Sequence, residues 1–216
     1  MTDPTTPAPR KEDQAIELTG FEILSLLSLT TDAPGVDGTR AALRLPAVPA
    51  DSPMLTAGVS SLVVRRLAAE QDGRLLPQGK VLALAAVLAR ATSWAQASAI
   101  GGGTTHAAVL VKGPDGAALL EPRPYGIWLA LPLAADRPLA DLAADYVRAG
   151  FGDVAERPFT GTVRTTDATG AERAAAVRVG DDGTWELSSG VPDAMPEPRA
   201  VAPDTSFRLL ATGLAA

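Results

Sequence analysis

From residue 106 onward the apolar runs come in short pieces, and the connectors between them leave room for antiparallel pairing alone. His106–Val111 and Ala117–Glu121 flank Gly113-Pro114-Asp115-Gly116. Ala174–Val179 and Thr184–Ser188 flank Gly180-Asp181-Asp182-Gly183, and Asp167–Glu172 follows Phe159–Thr165. A parallel crossover needs about a dozen residues or more, whereas Gly- and Asp-rich quartets are hairpin chemistry. Tyr125–Leu131, flanked by Pro124 and Pro132, reads as a further strand at an edge or strand end. One amphipathic helix interrupts the series at Leu139–Ala149. Leu139, Leu142, Tyr146 and Val147 take its core side, and Gly150 is its expected stop.

Upstream of the strands the periodicity is helical. Thr19 and Glu22 have capping-box spacing, and Phe21, Leu24 and Leu27 recur at helical steps. An apolar strand through Phe21–Leu29 is the alternative, since Ile23, Leu26 and Leu29 fill the remaining faces. Ala42–Leu45 reads as a short strand ended by Pro46. Ser52-Pro53 starts a helix with Leu55, Val59, Leu62, Val63 and Leu67 as its stripe, ending at Asp72-Gly73. Pro77 opens the next helix, expected to run to about Ala97 and to be broken by Gly101-Gly102-Gly103. Its apolar residues leave hardly any polar face, so it is either buried on most sides or covered by a partner.

The fold class expected is therefore α+β: N-terminal helices followed by an antiparallel β-sheet with an intervening helix. The order suggests two pseudo-repeated α+β halves, 16–133 and 134–190, within one domain 16–190. Residues 1–15, with Pro4, Pro7 and Pro9, read as a disordered leader, and 191–216 as a proline-rich segment with a short terminal element at Phe207–Leu210. No signal-peptide pattern is visible, and the longest apolar run, Val81–Ala89, is too short to span a membrane. A cytoplasmic protein without membrane insertion is expected.

The 216 residues include no cysteine and one histidine, His106, which excludes disulfides, thiol catalysis and multi-histidine metal sites. A net charge of −6 argues against nucleic acid as a partner. Gly73–Lys80 superficially resembles a phosphate-binding loop, but its spacing is one residue too long and Val81 replaces Ser or Thr. Gly101–His106 (GGGTTH) could cradle an anion, or could be a helix-to-strand connector. His106 has no nucleophile elbow to serve: Ser60 and Ser61 lie inside a helical pattern. Asp141 and Asp145 share a helical face without a readable third ligand. No catalytic site and no cofactor is expected.

Three helices followed by a hairpin is also winged-helix order, with 77–97 as recognition helix, yet that stretch carries only Lys80 and Arg90 as cations. Arginine outnumbers lysine (Lys11, Lys80, Lys112), the usage of a GC-rich genome.

Leu62-Val-Val-Arg-Arg-Leu-Ala, then Asp72-Gly-Arg-Leu-Leu-Pro77, then a long Ala/Leu helix ending near Trp94 resembles the EspG family. These are cytosolic specificity chaperones of the actinobacterial type VII (ESX) secretion system. The resemblance spans about 15–190 and implies a non-enzymatic protein that binds small helical secreted partners. The chain is shorter than typical members. The expected function is a non-catalytic protein-binding module; the alternative is a small-molecule-binding or enzymatic α+β domain using the Gly101–His106 loop. Candidate partner-binding residues are Gly101, Gly102, Gly103, Thr104, Thr105 and Trp128.

Overall fold

The computed structural model describes residues 15–30, 33–133, 135–153 and 157–215. Apart from Ala15, the expected leader lies outside the described residues. The ordered chain begins with a strand, β1 (Ile16–Thr19), followed directly by helix α1 (Gly20–Ser28). The capping box decides between helix and strand here. Thr19 N–H donates to Glu22 Oε2 at 2.8 Å, and Glu22 N–H donates to Thr19 Oγ1 at 3.2 Å.

Three upstream expectations are corrected. Ala42–Leu45 is no strand: helix α2 (Val36–Ala42) ends there, and Arg44 turns the chain at φ 54. Tertiary contacts win over local pattern, because Thr39 Oγ1 donates to the Leu88 carbonyl at 2.7 Å and so ties α2 down. Helix α3 (Pro53–Val64) starts at the Ser52 cap as expected but stops well short of Asp72-Gly73. Those two residues, both at positive φ, instead turn a small hairpin of β2 (Ala68–Gln71) and β3 (Arg74–Pro77).

The expected helix 77–97 is two elements, α4 (Gly79–Ala89) and β4 (Ser93–Gly101). α4 is apolar nearly all round and β4 interrupts its apolar residues only with Ser93, Gln96 and Ser98, so the run hides a change of period from helical steps (Val81, Leu84, Leu88) to alternation (Ala95, Ala97, Ala99). The winged-helix reading loses its recognition helix with this division. Gly102 and Gly103, at φ 54 and 74, form a two-residue turn from β4 into β5 (Thr104–Gly113), not a helix break. A strand, β3, does precede the Gly79-Lys80 helix start; the phosphate-loop spacing still fails.

β6 (Gly116–Arg123) and β7 (Ile127–Leu133) complete the first meander, and β1 pairs outside β7, which is therefore not an edge. After α5 (Leu139–Asp153) come β8 (Phe159–Asp167), β9 (Glu172–Val179), β10 (Trp185–Gly190), β11 (Arg199–Val201) and α6 (Arg208–Ala215). The nine strands form one antiparallel sheet in the order β1-β7-β6-β5-β4-β8-β9-β10-β11. Two four-stranded meanders thus run outward from a central β4–β8 pair, each preceded by a helix, and the two halves share one sheet. The C-terminal segment contributes β11 to that sheet and α6 to its core.

Helix α5 runs through Gly150 rather than stopping there. A Cβ on Gly150 would lie 2.5 Å from Ala99 Cβ, so this glycine lets the helix approach the sheet. Alternation splits the buried residues into two cores. Val109, Val111 and Leu120 face α1 and α4 with Leu26 and Leu88; Ala108, Leu110 and Leu119 face the opposite side, where α5 and α6 cover β4, β8, β9 and β10.

Candidate functional site

Because each half covers only its own side, the sheet is left partly bare. The α1–α4 layer spans β1, β7, β6 and β5, and α2 reaches over β4 only at its Trp94–Gln96 end, so that face of the rest of β4, and of β8 and β9, has no helix over it. The even-numbered residues of β4 and β8 point here: Gln96, Ser98 and Ile100, with Thr160, Thr162 and Arg164 across from them. Ile100 is 45% exposed. Ser98 and Thr162 share a hydroxyl hydrogen bond of 2.7 Å on this floor. Ala174 and Ala176 of β9 extend it.

The result is a groove of about 690 Å3 whose floor is alanine, serine and threonine. Leu43 and Arg44, at the end of α2, wall one side; Pro122, Trp128 and Met195 also line it. A second hollow of about 540 Å3 continues past Arg44, Gln96 and Arg164 toward Asp37 and Asp167. Arg164 is held by Glu172 at 2.5 Å, and that hydrogen bond raises the guanidinium's already high pKa. Charge at the far end is therefore mixed, while the floor is neutral.

Of the sequence-derived candidates, Trp128 lines the large groove, half-buried on β7. Gly101, Gly102, Gly103, Thr104 and Thr105 do not line it. They form the tip of the β4–β5 hairpin, with Gly101 buried and the other four exposed. The next residues of the same strand, Ala107 to Val109, do reach the groove. Two features went unnoticed in the sequence. Tyr125 stands 98% exposed at φ 66 in the turn between Pro122 and Trp128, and Met195 arrives from the proline-rich segment. The Pro-Tyr-Gly triplet was the available signal for the first; nothing local marked the second.

On the opposite face, His106 lines a hollow of about 310 Å3 together with Glu121, Tyr146 and Asp153. Burial, with the Glu121 carboxylate beside it, pushes the Tyr146 phenol well above its usual pKa of 10. No serine or threonine lines this hollow. Among the described residues no three His, Asp or Glu side chains are grouped to hold a metal ion, and no helix is long and apolar enough to cross a membrane.

No protein-family model matches the chain, and no curated protein matches it. Among solved structures it is similar to a chain of the Mycobacterium tuberculosis type VII secretion system chaperone EspG5 in complex with a PE25-PPE41 dimer. The identity is 10%, the TM-score 0.53, and the match covers 93% of this chain and 94% of that one. At that identity the likeness is one of fold.

Proposed function

We propose that the chain is a non-catalytic protein-binding module of the secretion-chaperone type, and that the bare sheet groove is its docking face. One observation carries the reading. A sheet stabilises itself by burying each face against another layer. Here the floor of Ala107, Ser98, Thr162, Ala174 and Ala176 is left without one. Small neutral side chains let a partner's helix approach closely, and the exposed Tyr125 with half-buried Trp128 supplies aromatic anchors of the type that dominate binding energy. The fold-level likeness to a chaperone whose structure holds a protein dimer points the same way. Small helical secreted proteins are the partners it suggests, with a cytoplasmic site of action.

The test is co-purification from the native host on a sizing column, wild type beside Ala176→Arg. The variant puts a long cation on the neutral floor without touching either core. A stoichiometric small helical partner, lost in the variant, is the expected result. A partner that stays bound to the variant would move the docking face elsewhere, and a clean chain with no partner would end the chaperone reading.

A further inference from the structure

β5 has an unpaired main-chain edge inside the sheet, and its position follows from two prolines. The β4–β5 turn is closed by Gly101↔Thr104, so alternation makes Ala99↔His106 and Ala97↔Ala108 pairs of the same class. Pairs that close a two-residue turn exchange both main-chain hydrogen bonds. His106 and Ala108 therefore bond to β4, while Thr105, Ala107 and Val109 direct N–H and C=O toward β6. The β5–β6 turn, closed by Gly113↔Gly116, has the same phase, through Val111↔Ala118 and Val109↔Leu120. Continued by one more pair, this register would set Pro122 opposite Ala107, and then Pro124 opposite Thr105. Neither proline has an N–H to give. The pairing ends at Val109↔Leu120, although β6 stays paired to β7 as far as Arg123↔Ile127.

Both outer edges of the nine-stranded sheet are guarded, and this inner one is not. At β1, Arg65 Nη2 donates to the Glu17 carbonyl at 2.8 Å and Thr19 N–H is taken by Glu22 at 2.8 Å. β11 is three residues long, between Pro198 and Pro203. Such devices suppress unwanted strand pairing. Thr104, Thr105 and Ala107 are exposed and uncharged, with no proline among them.

We infer that the Thr105–Ala107 edge of β5 receives one extended segment of a partner protein, which adds as a strand beside it. Alternate side chains of an added strand point to opposite faces, and a hollow waits on each. On one face lie Val109, Pro122 and Trp128, which fit an apolar side chain. On the other lie His106 and the carboxylates of Glu121 and Asp153, with Arg123 as the neighbouring cation at 2.8 Å from Glu121. That side is net acidic and selects a basic side chain. The occupant is thus a short strand without proline at its pairing positions, with apolar and basic residues alternating. The strand's apolar side chain would enter the Trp128 end of the same groove proposed for a partner's helix. The edge is read by main-chain pairing and the groove by Ala176→Arg, so either can fail alone.

The test begins with amide hydrogen exchange on the free chain. Thr105 and Ala107 should exchange much faster than His106 and Ala108, and equal protection would overturn the proposal because the edge would already be occupied. A displayed library of random heptapeptides is then panned on the native chain and on Ala107→Pro, which removes one outward N–H. Thr105→Pro replaces it should that variant fail to keep its β-sheet circular dichroism. Enriched peptides should alternate apolar and basic residues and bind the proline variant about tenfold more weakly, the worth of one main-chain hydrogen bond. No enriched peptide, or peptides indifferent to the proline, would refute the edge as a receptor. Self-association of the chain abolished by the same proline would make a second copy the occupant and overturn the assignment to a partner.

Discussion

Arg65 Nη1 lies 2.7 Å from Glu22 Oε2, with the carboxylate fully buried and the guanidinium 40% exposed. Glu22 also accepts from the Ser61 hydroxyl at 2.7 Å and from Thr19 N–H, so one buried carboxylate ties β1, α1 and α3 together. Removing the cation strands the charge. Arg65→Ala should cost about 3 kcal/mol, and the paired change Glu22→Met with Arg65→Met should cost less, because a buried pair is worth little against apolar groups of similar size. Urea unfolding of the three chains reads this directly; equal losses in the single and paired variants would show that packing, not charge, is what Arg65 contributes.

The Trp94 indole N–H donates to Thr39 Oγ1 at 2.9 Å, and Thr39 passes a hydrogen bond of 2.7 Å to the Leu88 carbonyl. Gly38 lies against the same ring, where a Cβ would fall 2.3 Å from it. The pinned indole cannot step aside, so Gly38→Ala should destabilise by about 1–3 kcal/mol and change the near-ultraviolet tryptophan signal. Thr39→Val keeps the shape but leaves a buried N–H and a carbonyl unpaired, with a loss of similar size. A wild-type spectrum for Gly38→Ala would mean that α2 is free to lift off the sheet.

These contacts show where the sequence stops speaking. The capping box at Thr19 and Glu22, the Ser52-Pro53 start and the hairpins β5–β6, β8–β9 and β9–β10 were legible because each is fixed by neighbours in the chain, whereas the pairing of β11 with β10 across the proline-rich segment was not. The division of 77–97 was not, since alanine packs equally well on a helix or a strand, and the buried Ala95, Ala97 and Ala99 continue the alanine-rich run of α4. Gly150 carried the same ambiguity: a helix stop and a close approach to Ala99 demand the same residue. Trp128 was legible as a candidate, but the groove it lines depends on which helices cover which face. That is a property of two halves meeting at β4–β8, and no local pattern encodes it.

Three aspartates contribute to how the fold responds to acid. In the β8–β9 turn, Asp167 is held below its ordinary 3.8 by the Thr169 hydroxyl and by main-chain N–H donors. In the β9–β10 turn, Asp182 is lowered by the Thr184 N–H and hydroxyl. At Asp204 burial pushes the other way, yet the Ser206 hydroxyl and Leu209 N–H outweigh it and the net shift is down. A carboxyl whose folded pKa is depressed contributes stability above its unfolded value and loses it as pH falls through the folded one. The urea midpoint should therefore be flat above about pH 5 and decline below about pH 4. In the paired variant Asp167→Asn with Asp182→Asn the decline should be shallower, and an unchanged slope would take these turns out of the account.

Tyr125 combines two costs that stability alone does not explain: it is 98% exposed, and it sits at φ 66, where residues other than glycine and asparagine are strained. Asparagine tolerates that conformation and has no aromatic ring to expose. Tyr125→Asn should therefore leave the fold as stable as before or raise its stability by about 0.5 kcal/mol, judged by urea unfolding. If the ring anchors a partner at the groove beside Trp128, the same change should weaken partner retention on the sizing column about tenfold or more, in the range of an aromatic hot spot. The two readings move in opposite directions only if the strain is maintained for binding. A variant that is more stable and binds as well as wild type would show that Tyr125 is a surface residue with no part in recognition.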